Sequence, residues 1–160
     1  RRPVDRATLD VINGVNTTDT DWQREIFRQA PIQNYQLAFS GRTGRSGYYV
    51  SGEYFDQDGV IINSGFRRYS ARVNLDADVS DRFKIAFNLN PSFSQRQFVP
   101  TGGGSGENDG VITNAITIQP FFPVRNPDGT FFNAFGQPGG ANANNPVAVA
   151  ELLNNRNQEA

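Results

Sequence analysis

The chain has 160 residues and contains no cysteine, no histidine, no methionine and a single lysine, Lys84. Without Cys or His there is no disulfide framework, Cys/His zinc site, thiol nucleophile or Ser–His triad. The missing Met leaves no initiator, so the chain reads as a processed or internal piece of something longer. No apolar run reaches the roughly 18 residues of a transmembrane helix, and no signal-peptide core is present. Charge of either sign is also not in excess. The 15 basic and 16 acidic residues leave a formal net charge of −1, which argues against a general nucleic-acid binder.

Apolar residues make up 37% and aromatics 12%, too aromatic for a disordered chain and lean for a globular core. Asn and Gly are abundant, as turns, loops and polar-faced strands require.

Residues 1–31 are polar and irregular. Asp5 is placed to cap a short helix carrying Leu9 and Ile12, and Asp21 another with Trp22 and Ile26 on one face. From residue 32 the period becomes two. Tyr35, Leu37 and Phe39 share a face in a strand over about 32–40. In a second strand, about 48–56, Tyr48, Val50, Gly52 and Tyr54 oppose Tyr49, Ser51, Glu53 and Phe55. In a third, about 66–76, Tyr69, Ala71, Val73 and Leu75 oppose Arg68, Ser70, Arg72, Asn74 and Asp76. In a fourth, about 83–96, Phe83, Ile85, Phe87, Leu89 and Phe93 oppose Lys84, Ala86, Asn88 and Asn90. Pro91 predicts a bulge or strand end inside that segment. Beyond 97 the pattern lapses into a long loop, with short helices expected over 109–118 and 146–156 and a turn at Asn126-Pro127-Asp128-Gly129.

An apolar sheet face needs a covering layer. The polar remainder of this chain is too poor in apolar residues to supply one, so lipid is the economical cover. The segments match transmembrane strands, which need about 9–11 residues, apolar outward and polar inward. The fold class read from the sequence is therefore all-β: a fragment of a transmembrane antiparallel β-barrel, about four strands, with long extracellular loops containing short helices. Short turns at 41–47 and 77–82 fall on the periplasmic side. Residues 1–31 form the end of one extracellular loop and 97–160 a second. Four strands do not close a barrel, so the rest of its own barrel, an earlier strand included, is an expected partner, as is outer-membrane lipid.

Several segments resemble the SusC/RagA family of TonB-dependent outer-membrane transporters. They are Thr20–Phe27 with Ala30–Asn34, Tyr48–Gly59, Asn63–Asp76 running into Val79–Ile85, and Asn145-Pro146-Val147-Ala148. The resemblance implies an early part of the barrel, with the plug and TonB-contacting segment upstream. It implies import of glycans, oligosaccharides or peptides across a Bacteroidota outer membrane, a SusD-like lipoprotein partner and no enzymatic activity. No cofactor is expected.

Glu53, Arg68, Arg72, Asp76 and Lys84 fall on the lumen side, either touching substrate or plug or simply hydrating the lumen and pairing across strands. Phe121, Phe122, Phe131, Phe132 and Phe135 cluster in the long loop. They either meet a SusD-like lid or sugar rings, or pack the loop on itself. Asp56-Gln57-Asp58-Gly59 reads as a turn and not as a calcium loop, since Arg67 stands where the twelfth-position Glu belongs. No metal site and no catalytic constellation emerges. Two other functions stay open: a soluble all-β glycan-binding module, and a passive or structural barrel in a surface complex.

Overall fold

The computed structural model describes residues 18–102, 110–137, 142–153 and 155–159. The Asp5 helix lies outside those residues. Among the described residues six strands form one sheet: β1 Ile32–Thr43, β2 Ser46–Asp58, β3 Gly65–Ser80, β4 Phe83–Leu89, β5 Ser92–Phe98 and β6 Asn155–Glu159. Their order is β1-β2-β3-β5-β6, with β4 also paired to β3. The ladders joining β1 to β2, and β3 to β2, β4 and β5, are antiparallel. The described residues also include three short helices: α1 Trp22–Ile26, α2 Val111–Thr117 and α3 Pro146–Leu152. No helix among the described residues is long and apolar enough to cross a membrane, which says nothing of a β-barrel.

The chain divides into two compact units. The first holds most of the sheet. Its alternation comes into register across strands: Phe39 faces Val50, which faces Val73, which faces Leu89. One face is therefore apolar from strand to strand, and it is open. Tyr35, Leu37, Phe39, Tyr48, Val50, Tyr69, Leu75, Ile85, Phe87 and Leu89 are all exposed, Leu37 at 63%. Near one end of this face Tyr35, Tyr54, Tyr69 and Phe93 stand side by side, with ring centroids 6.4, 5.1 and 6.5 Å apart. Between Tyr69 and Ala77 the apolar face of β3 runs about 27 Å along the strand. At a tilt of about 40° that is roughly 21 Å of height, close to the ~25 Å apolar band of an outer-membrane barrel.

The strands run closer to their turns than alternation alone indicated. β1 and β2 are joined by Gly44 and Arg45, with Gly44 at φ +57° in the first central position that a type II′ turn gives to glycine. The segment expected as one strand over 83–96 is two, β4 and β5, separated at Asn90-Pro91. Proline offers no N–H to the ladder. Its carbonyl is still used, accepting from the Ala71 amide at 3.0 Å.

The second unit comprises the described parts of Arg1–Gln29, Gly59–Ser64 and Phe98–Asn155. It has a core of its own, which includes Trp22, Ile26, Ile61, Val99, Val111, Ala115, Ile118, Phe122, Val147 and Val149. Trp22 is 3% exposed, and its indole N–H donates to the Gln119 carbonyl at 2.9 Å. The Asp21 carboxylate accepts from the Arg24 amide at 3.1 Å, which caps α1. Asp21→Ala is expected to cost about 1 kcal/mol. Faster native-state hydrogen exchange at Arg24 would show it, and an unchanged rate would contradict it.

Candidate functional site

The polar face of the sheet carries the charged residues singled out in the sequence. Arg68 meets Glu53 at 3.3 Å, and the Ser70 hydroxyl donates to the same carboxylate at 3.0 Å. The Arg72 Nε–H donates to Asn90 Oδ1 at 3.0 Å. Asp76 pairs with Arg42 at 3.1 Å, and Lys84 with Asp78 at 3.3 Å. Glu53 and Arg72 also share a depression of about 200 Å³ with Gln36, Tyr49, Ser51, Ser70 and Asn90. Asp76 and Lys84 do not line it. Such half-exposed pairs are each worth about 0.2–1 kcal/mol, so they order the face more than they stabilise the fold.

The register adds an aromatic and cationic group on this face. Phe55 stands opposite Arg68, and Phe66 opposite Arg96. The two rings lie 5.9 Å apart, with Arg68 over Phe55 at 5.6 Å and Arg96 over Phe66 at 5.8 Å. Phe55 and Phe66 break the polar pattern of the face, and that break was the signal available in the sequence. The partnership with Arg96 depends on a pairing 30 residues distant, which local pattern does not encode.

In the loop unit the five phenylalanines separate. Phe122 is buried in the core, and Phe121, Phe131 and Phe132 pack partly against it. Phe122 stands 4.6 Å from Phe121 and 5.2 Å from Phe132 between ring centroids. Phe135 is exposed, at 53%. Asn145 is the polar centre of this unit. Its Oδ1 accepts from the amides of Val147 and Ala148 at the start of α3, and its Nδ2 donates to the carbonyls of Val124 and Phe132. Among the described residues no group of three or more acidic side chains is placed to hold a metal ion.

The 126–130 turn is held by Asp128, which accepts from the hydroxyl of Thr130 at 2.6 Å and from its amide at 3.0 Å. The Thr130 hydroxyl bond, and then the amide bond, hold the Asp128 carboxyl below its usual range. A lowered folded pKa stabilises above the ordinary carboxylate value and loses that effect as pH falls through the lowered one. The Thr130 amide resonance is therefore expected to titrate below about pH 3.9. Asp128→Asn should abolish that titration, and a titration persisting in the variant would contradict the assignment.

No family model matches the chain. Among curated relatives, it is 42% identical over 136 residues to TonB-dependent receptor P3 of Formosa agariphila, covering 82% of this chain and 13% of the relative. It is 32% identical over 112 residues to TonB-dependent receptor SusC of Bacteroides thetaiotaomicron, covering 69% of this chain and 10% of that one. The chain belongs to the SusC/RagA-type TonB-dependent receptors. Among solved structures, this SusC/RagA-type chain is similar to the RagAB peptide importer in its open-open state, at TM-score 0.61 and 26% identity. That match covers 81% of this chain and 14% of the solved one. The relatives are named as TonB-dependent receptors and, for RagAB, as a peptide importer. The SusC/RagA-type chain spans about an eighth of the curated relatives it matches.

Proposed function

We propose that the sheet is part of the wall of an outer-membrane barrel in a TonB-dependent importer of glycans, oligosaccharides or peptides. The observation that carries this reading is the two-faced sheet. One face is continuously apolar, exposed and edged by an aromatic row, and the other is polar and ion-paired. Lipid covers the first, and the second, with Glu53, Arg68, Arg72, Asp76 and Lys84, lines the lumen. The free sheet edges pair with further strands of the barrel, because unpaired backbone is not tolerated in hydrocarbon. The unit containing Phe98–Asn155 is an extracellular element that meets a SusD-like lipoprotein, with exposed Phe135 as a contact. The relatives' names support this reading: TonB-dependent receptors, and for RagAB a peptide importer.

The test is deletion of the gene in the source organism, followed by growth on a panel of glycans and peptides with and without TonB. Growth should fail on at least one source, and loss of TonB should reproduce the failure. Uptake that persists without TonB would mark a passive barrel instead.

A further inference from the structure

Three cations on the polar face are paired with carboxylates within the sheet: Arg42 with Asp76, Arg68 with Glu53 and Lys84 with Asp78. A fourth, Arg96, lies over Phe66 and lines a cavity with Glu159. Arg72 differs from all of these. Its Nε–H donates to Asn90 Oδ1, which is a neutral acceptor. Among the described residues its two terminal amino groups have no hydrogen-bond acceptor and no carboxylate is ion-paired with it. With the Nε edge spent on Asn90, the end of the guanidinium remains, two parallel N–H groups in a fixed fork.

Arg72 stands opposite Ser51 and lines the depression of about 200 Å³ with Gln36, Tyr49 and Asn90. Among the described residues the side chains of Gln36, Tyr49 and Ser51 also make no hydrogen bond, so the depression offers an amide and two hydroxyls beside the guanidinium. Glu53 lines it too, but its carboxylate is occupied. Arg68 donates to both of its oxygens at 3.3 Å, and the Ser70 hydroxyl to one of them at 3.0 Å. Glu53, Arg68 and Arg72 together leave one net positive charge. The next carboxylate along β3, Asp76, is four residues away, about 13 Å, and is held by Arg42.

We propose that Arg72, with the hydroxyls of Tyr49 and Ser51, binds a carboxylate of the imported cargo. The argument rests on the barrel-wall reading and deepens it by naming a chemical class for the cargo. Arg72 is next to Val73, midway between Tyr69 and Ala77 along the apolar face, so it stands at mid-depth on the lumen side, where anything crossing the barrel passes. Low-dielectric walls around a polar passage focus the field of an unneutralised charge. The free end of the guanidinium matches the two oxygens of a carboxylate, and such bidentate, charge-assisted bonds are about twice as strong as neutral ones. The neighbouring hydroxyls supply further donors to the same group.

The test uses the full-length protein in nanodiscs and an equimolar pool of matched probes: trigalacturonate with its methyl ester, and a capped Ala-Glu-Ala peptide with its Gln counterpart. Retained probes are counted by mass spectrometry. The wild type should retain the carboxylate member of at least one pair about tenfold over the neutral member, the scale of one charge-assisted hydrogen bond. Arg72→Gln should lose that preference, and Arg72→Lys should keep part of it. No preference in the wild type, or one unchanged in Arg72→Gln, overturns the proposal. A wild type without preference whose Arg72→Gln variant also loses its heat shift at a lower temperature would assign Arg72 to an acidic side chain of the same protein instead. A heated-against-unheated gel accompanies each sample. A missing shift in the wild type would remove the barrel-wall reading, whereas a shift without probe preference removes only the carboxylate site.

Discussion

Val50→Arg is expected to abolish the folded, heat-modifiable protein in the outer membrane, while Ser51→Arg one residue away is tolerated. Val50 stands between Phe39 and Val73 in the middle of the apolar face, four residues from Tyr54 on one side and four from the hairpin end at Ser46 on the other. A guanidinium at mid-depth on the lipid side costs about 2–4 kcal/mol. Ser51 opens instead on the polar depression beside Glu53, where an arginine meets water and a carboxylate. On a soluble module the exposed Val50 position would accept arginine within about 0.5 kcal/mol. Quantifying the folded band of each variant in membrane fractions decides it, and equal bands would contradict the lipid-facing assignment.

Asn145→Ala is expected to destabilise the loop unit by about 3 kcal/mol. Roughly 1 kcal/mol comes from the lost cap on α3. The remainder comes chiefly from the Phe132 carbonyl, which loses its Asn145 donor beside a nearly buried side chain, since the Val124 carbonyl still accepts from the Phe132 amide at 3.1 Å. Asn145→Asp separates these effects, because it keeps the acceptor for Val147 and Ala148 but presents oxygen to two carbonyl oxygens. The aspartate variant should therefore gain little over alanine. Limited proteolysis within 98–154 gives the readout, with the barrel's heat shift as a control for the sheet. Cleavage at the wild-type rate in both variants would show that Asn145 is not structural.

The fold class was legible because a period of two, held over several residues, is a direct print of which face each side chain takes. The Tyr35, Tyr54 and Tyr69 parities alone put one aromatic on the same side of successive strands. What alternation left open was register: that these three and Phe93 stand in one row follows from pairings between distant strands. Pro91 announced an interruption, but the reuse of its carbonyl by Ala71 depends on β3. The loop unit was the least legible part. Its core takes Trp22 and Ile61 together with Val111 and Val147, contributions too far apart in sequence to produce any periodic signal. The charged residues of the polar face were readable as a set because each falls on one parity. Their partners were not, since Arg42 with Asp76 and Arg72 with Asn90 are long-range choices.

The central claim is that the apolar face lies in hydrocarbon. The absence of cysteine from the chain makes a spin-label scan direct. Single cysteines at 48–55 in the full-length protein, with any cysteine elsewhere removed, would be labelled and relaxed by oxygen and by a water-soluble nickel complex. The account predicts strict alternation: oxygen dominates at Tyr48, Val50, Gly52 and Tyr54, and the nickel complex at Tyr49, Ser51, Glu53 and Phe55. Equal access of the nickel complex to both sets would contradict it.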